Sequence, residues 1–137
     1  MSITESQEGK ETILLVEDDV LARLVLADYL RECGYKVIEA ANTDEAMTVL
    51  KQFERNITGV LSLAAIAGKI DGFALARWVR ANRPGVEVIL VANVAKAASS
   101  AGDLCEDGPM LAKPYDPSVV VERIRLLRAK AGQRPSK

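Results

Sequence analysis

Residues 59–72 read GVLSLAAIAGKIDG, an apolar run followed by a loop and the start of a helix. A short continuous apolar run with glycine nearby is typical of a buried strand in a parallel sheet. In open α/β proteins the carboxyl end of such a strand borders the ligand-binding crevice. Between Glu54 and Asp71 the sequence has no acidic residue. This strand end therefore keeps the expected scaffold of a site without a carboxylate.

Apolar runs and helical patterns alternate along the whole chain. The predicted strands are 13–16, 35–40, 57–64, 85–93 and 109–115. The predicted helices are 21–33, a segment that opens at 42–44, 73–82, and a segment that opens at Asp116 or Ser118. The stretch 96–108, KAASSAGDLCEDG, is rich in small residues and is expected to be a frayed helix or mostly loop. Five strands alternating with five helices imply a parallel α/β sheet with helices on both faces.

Length and composition predict one ordinary globular domain. The chain has 137 residues, 49% of them apolar, and a formal net charge of −1. We expect a domain over 11–130, a disordered segment over 1–10 and a disordered tail over 131–137, with no output domain after it. The charge balance gives no reason to expect binding to nucleic acid or to a membrane surface.

The same sequence also limits location and chemistry. No segment has the roughly 20 apolar residues of a membrane span, and the polar N-terminus is unlike a signal peptide, so we expect a cytoplasmic protein. The chain has no histidine, which excludes a histidine-dependent triad. Cys33 and Cys105 have no metal-like spacing and are expected to be free thiols in a reducing compartment.

Four motifs in order resemble the receiver domain of bacterial response regulators. They are LLVEDD at 14–19, IDGFALARWVRANRP at 70–84, VILVAN at 88–93 and LAKPYDP at 111–117. The resemblance covers about residues 11–130. It implies a flavodoxin-like, doubly wound five-stranded parallel sheet of order 2-1-3-4-5, with its site between the first and third strands. It also implies phosphoryl transfer from a histidine kinase to an aspartate that ends the third strand, assisted by Mg²⁺.

The resemblance assigns a position to each usual site residue of the family. Glu17 and Asp18 match the acidic pair that helps to hold Mg²⁺, with Asp18 the preferred ligand. Lys113 matches the lysine that contacts the phosphoryl group, and Pro114 matches a proline commonly preceded by a cis peptide bond. Lys113 is expected here to pair with Asp18 instead, which would place the chain's own cation in the site.

Two of the family's usual site residues are missing. Counting back from Asp71 places the phosphoacceptor at Leu63, or at Ala64 if the loop is shorter, and neither side chain can accept a phosphoryl group. The Ser/Thr switch position falls on Ala92. Ser62 precedes the acceptor position and should point to the opposite face of the sheet. Mg²⁺ binding is therefore expected to be weak or lost, because one carboxylate of the set is absent.

These residues predict a degenerate receiver that acts in two-component signalling through protein contacts, without phosphorylation and without enzymatic activity. The expected partners are a histidine kinase or another two-component protein, and a second copy bound through the face between the fourth and fifth helices. That face includes Lys96, Tyr115, Arg123 and Arg125. One alternative is a working response regulator that takes phosphate from a histidine kinase on a non-standard acid, Glu17 or Asp18. Another is a small-ligand binder that uses the vacated pocket.

Overall fold

Four parallel strands and five helices make up the computed structural model, which describes residues 11–52, 57–106 and 116–132. The strands are β1 Thr12–Val16, β2 Lys36–Ala40, β3 Ile57–Leu63 and β4 Glu87–Val91. The helices are α1 Val20–Glu32, α2 Thr43–Gln52, α3 Gly72–Asn82, α4 Val94–Glu106 and α5 Pro117–Gly132. None of the described helices is long and apolar enough to span a membrane.

The strands are hydrogen-bonded in the order β2-β1-β3-β4, which confirms the predicted order for these four. All five residues of β1 are buried, because β1 has a neighbouring strand on each side and helices on both faces. The predicted fifth strand, 109–115, lies outside the described residues, so the described sheet has four strands rather than five. The last position in the order 2-1-3-4-5 remains a prediction.

The sheet divides the core into two clusters because successive strand residues point to opposite faces. Ile13 and Leu15 pack with α1, α4 and α5, whereas Leu14 and Val16 pack with α2 and α3. The prediction of helices on both faces is therefore confirmed. The observed α5 also extends to Gly132, two residues beyond the domain boundary predicted at 130.

The α4 segment differs from its prediction. It is a continuous helix of 13 residues and not a frayed helix or a loop. It also lies on the same face of the sheet as α1. A right-handed connection that continued beyond β4 would place its helix on the face of α2 and α3. Because α4 lies on the opposite face, with α1, it does not have the position expected of a right-handed crossover helix.

The expectation of two free thiols is wrong, because Cys33 and Cys105 form a disulfide. Cys33 is the C-cap residue of α1, and Cys105 lies in the last turn of α4. Since α4 packs along α1, the two Cα atoms approach to 5.3 Å although 72 residues separate them in the sequence. This pairing depends on the docking of α4, which the sequence pattern did not reveal.

Candidate functional site

The carboxyl ends of β1, β3 and β4 meet at one edge of the sheet. Val16 pairs with Ser62, and Leu63 pairs with Val91. One residue further along each pair of strands, Glu17 therefore lies beside Leu63, and Ala64 lies beside Ala92. The amide of Ala64 continues the ladder by donating to the carbonyl oxygen of Val91 at 2.9 Å. The structure thus brings the acidic end of β1 next to Leu63 and Ala64, with Ala92 directly after the neighbouring strand.

Glu17 is buried directly after β1, with 1% of its surface exposed. Its Oε2 accepts a hydrogen bond from the amide of Asp19 at 2.9 Å, whereas its Oε1 has no hydrogen-bond partner among the described residues. Burial raises the pKa of the Glu17 carboxyl to about 7, and the neighbouring charges of Asp18 and Asp19 contribute in the same direction. Near neutral pH this side chain is therefore protonated in a large share of molecules.

The other two acids after β1 have different environments. Asp18 is exposed to solvent. Asp19 is the N-cap of α1, where its Oδ1 accepts from the amide of Ala22 at 3.1 Å, and its Oδ2 pairs with Arg128 of α5. The three consecutive carboxylates therefore serve three roles: one is buried, one is solvated and one is a helix cap.

Arg23 is a residue of this edge that the sequence interpretation missed. Its guanidinium donates to the backbone carbonyl of Glu17 at 2.9 Å and to the Glu39 carboxylate at 3.2 Å. It thereby joins the end of β1 to β2, beside the protonatable Glu17. The only signal in the sequence was an arginine in the first turn of a helix that follows three acids, and that pattern does not name a partner.

The loop between β3 and α3 is fastened to α2. The amide of Thr43 donates to the carbonyl of Ala67 at 2.9 Å, and the Thr43 hydroxyl donates to the carbonyl of Ile70 at 2.6 Å. Ile66 is buried in the core cluster on this face, with 7% of its surface exposed. The loop is therefore packed and hydrogen-bonded at both ends, although it lacks a reactive side chain.

Gly68 allows the loop to approach α2 this closely. Its φ of +131° lies in a region that other residues rarely adopt, and a Cβ on it would lie 1.9 Å from the Thr43 hydroxyl oxygen. The loop ends at Asp71, whose carboxylate accepts from the amide of Ala74 at 2.9 Å and so caps α3. These contacts fix the length and path of the loop.

A family model for the response regulator receiver domain matches residues 13–125. The chain belongs to this family. The transcriptional regulatory protein ResD of Bacillus subtilis is 30% identical over 127 residues, which are 93% of this chain and 52% of ResD. Sensor kinase CckA of Brucella abortus is 32% identical over 90 residues, which are 66% of this chain and 9% of the kinase. The receiver thus spans about half the length of ResD.

Solved receiver structures show the same fold. A response regulator receiver domain protein from Clostridium thermocellum superposes with a TM-score of 0.58 at 19% identity, over 90% of this chain and 99% of that one. A receiver protein from Pseudomonas putida gives a TM-score of 0.56 at 23% identity, over 86% of this chain and 98% of that one. The α/β receiver fold, a parallel sheet with helices on both faces, is therefore shown for this chain, and its place is in two-component signalling.

Of the remaining residues in the predicted site, the structure describes Ser62 and Ala92. Ser62 is buried, and its hydroxyl donates to the carbonyl of Leu63 at 2.9 Å. Strand alternation places Ser62 on the face of Val60 and not on that of Leu61. Ala92 is exposed beyond β4. The predicted site residues Lys113 and Pro114 lie outside the described residues, as does Tyr115 of the predicted dimer face.

Proposed function

We propose that this receiver works without accepting a phosphoryl group and acts in two-component signalling as a protein-binding module. The observation that carries the proposal is the identity of the residues at the end of β3. Leu63 lies beside Glu17 there, and Ala64 follows it. Formation of an aspartyl phosphate requires a carboxylate nucleophile. A leucine and an alanine have none, so the usual first step has no acceptor at this position.

The surroundings of Leu63 support the same proposal. Ala92 has no hydroxyl that could follow a phosphoryl group, so the usual switch movement at the end of β4 has no driving contact. Ser62 is committed to a backbone hydrogen bond within β3. Burial leaves Glu17 protonated in a large share of molecules near neutral pH, which makes it a poorer nucleophile than an ionised carboxylate. The acids that remain at this edge do not replace the missing aspartate.

We further propose that Mg²⁺ binding is weak or lost. Mg²⁺ requires near-octahedral oxygen coordination and carboxylates in their charged form. Of the two candidate ligands, Glu17 is buried and its protonation is favoured, whereas Asp18 points into solvent. No group of three or more metal-binding side chains occurs within the described ranges. The described residues therefore do not fit a tight Mg²⁺ site.

The partner proposed for this module is a histidine kinase or another two-component protein in the cytoplasm. One relative, CckA, is itself named a sensor kinase, and its similarity to this chain supports a role beside such proteins. A homodimer through the face between α4 and α5 is a further proposal. Of the residues predicted for that face, Lys96, Arg123 and Arg125 are exposed, but Arg123 lies beside Val25 and Asp28 of α1, and Arg125 pairs with Glu122 within α5.

The test is incubation of the full chain with acetyl phosphate and Mg²⁺, followed by measurement of the intact mass. We expect no phosphoryl adduct, while a receiver that carries the acceptor aspartate is modified under the same conditions. A stoichiometric adduct would refute the proposal and support the alternative of a working response regulator on a non-standard acid. Peptide mapping would then show whether Glu17 or Asp18 carries the group.

A matched variant isolates the role of the leucine. Leu63→Asp places a carboxylate next to Glu17, and we expect this variant to gain an adduct that maps to residue 63. Ala64→Asp tests, in the same assay, the alternative that the loop is one residue shorter and the acceptor position is 64. An adduct on the Ala64→Asp variant alone would move the acceptor position to 64 and would leave the proposal itself intact.

A further inference from the structure

The buried face of α4 consists of small side chains. Its buried residues are Ala97, Ala98, Ala101, Gly102 and Cys105. The corresponding face of α3 carries Leu75 and Val79. Since hydrophobic stabilisation follows the apolar area buried, each of these five residues contributes less than a buried leucine or valine would, and Val94 and Leu104 are partly buried beside them. The disulfide to Cys33 is the covalent link between the end of α4 and α1.

We propose that the Cys33–Cys105 disulfide is a redox-controlled clamp, and that its reduction releases α4 from α1. The contacts that flank the bond fit this role. The hydroxyl of Tyr35 donates to the carbonyl of Leu104, one residue before Cys105, so the same turn of α4 is held at two adjacent points. After the covalent link is broken, the hydrogen bond from Tyr35, the partly buried Leu104 and small side chains are among the contacts that hold this turn.

The chemistry is thiol–disulfide exchange with a dithiol reductant. The first thiolate of the reductant attacks one sulfur, forms a mixed disulfide and expels the other sulfur as a thiolate. The second thiol of the reductant then closes its own disulfide and expels the remaining cysteine sulfur. Two electrons and two protons pass from the reductant, so that the chain ends with two thiols and the reductant is oxidised to its disulfide.

The position of the bond determines what reductant it requires. Both cysteines are buried, and both lie at helix C-termini, where the partial negative charge of the carbonyl groups disfavours a thiolate. Attack requires the last turn of α4 to open, and Gly102 within that part of the helix lowers its intrinsic stability. A dithiol, which closes its own ring after the first step, is therefore the suitable reductant.

Release of α4 would extend to α5. Only Val120 and Ile124 of α5 are buried among its described side chains, and both belong to the cluster that α5 shares with α4 and α1. Pro117 at the start of α5 packs so closely on Gly102 that a Cβ there would lie 2.2 Å from its ring. Reduction would thus alter the surface formed by both helices, while α2 and α3 on the other face keep their own core.

The experiment compares hydrogen exchange of the full chain in its oxidised form and after reduction with dithiothreitol. Alkylation under denaturing conditions and intact mass establish that each sample carries none or two free thiols. We expect exchange in 94–106 and 117–132 to rise at least tenfold on reduction, and exchange in 43–52 and 72–82 to stay unchanged. The double variant Cys33→Ser, Cys105→Ser should exchange like the reduced protein and should not respond to dithiothreitol.

Three results would overturn the proposal. The first is unchanged exchange in α4 after complete reduction, since the helix would then be docked without the bond. The second is an equal loss of protection in α2 and α3, because the disulfide would then be a staple of the whole fold. The third is two free thiols in protein treated with an oxidant, which would show that the pair does not form the bond. The wild-type chain alone supplies all three readings if the serine variant fails to fold.

Discussion

The ends of β1 and β3 lie side by side at one edge of the sheet, yet their side chains differ in chemistry. At the end of β1 the acidic residue Glu17 is buried, and burial favours its neutral form. At the end of β3 lies the apolar Leu63, and the loop that follows is packed through Ile66 and tied to α2 through Thr43.

This difference indicates which properties of the receiver the chain has kept. The β3 loop has the contacts that give it a fixed shape, whereas the end of β3 has no carboxylate and Glu17 is protonated in a large share of molecules near neutral pH. A loop of defined shape without a carboxylate suits recognition by another protein better than it suits coordination of Mg²⁺ and phosphate. The predictions below test the two strand ends separately.

The largest effect is expected at the packed loop after β3. Ile66→Ala removes a buried side chain from the cluster on the α2–α3 face, so we expect the free energy of unfolding to fall by about 2–4 kcal/mol. Chemical denaturation measures this change. Phe73→Ala is the control, because Phe73 is 55% exposed and its truncation should change stability by about 0.5 kcal/mol or less. Equal small effects for both variants would show that the loop is not anchored.

The buried acid at the end of β1 should make stability depend on pH. The folded chain keeps the Glu17 proton up to about pH 7, whereas the unfolded chain releases it near pH 4.5. Between these values the folded state binds more protons, so its free energy of unfolding falls as the pH rises through this window. The difference corresponds to a total of about 3 kcal/mol, at about 1.4 kcal/mol per pH unit.

Denaturation curves from pH 4 to pH 8 measure this effect. Glu17→Gln cannot ionise and should flatten the dependence, so that it is more stable than the wild type at pH 8. Asp28→Asn is the control, because Asp28 is exposed and distant in the chain from the end of β1. This variant should keep the wild-type dependence of the free energy of unfolding on pH. A Glu17→Gln variant with the full wild-type slope would contradict the assignment to Glu17.

The smallest effect is expected at the turn that fastens the loop to α2. Gly68→Ala adds a Cβ at a positive φ and against the Thr43 hydroxyl, so we expect a loss of about 1–3 kcal/mol. Gly85→Ala is the matched control, since a Cβ at Gly85 meets nothing within 4 Å. Thermal unfolding of the two variants gives the comparison, and a Gly68→Ala variant as stable as Gly85→Ala would mean that the loop is not held tightly.

Local patterns predicted the alternation of strands and helices, because hydrophobic periodicity acts between residues close in the sequence. The order of the first four strands, which the resemblance to receiver domains implied, is confirmed. The α4 segment was underestimated because small residues and Gly102 weaken the helical signal. Its packing against α1 and the disulfide stabilise it, and both are contacts between distant residues.

The sequence by itself determined the element order, the family motifs and the absence of a carboxylate at Leu63 and Ala64, because side-chain chemistry is a property of each residue alone. The tertiary structure decided that Cys33 meets Cys105, that Arg23 joins the end of β1, and that Glu17 retains its proton near neutral pH. Each of these depends on which distant groups come together and on how much water they exclude. Proximity and desolvation arise only when the chain packs.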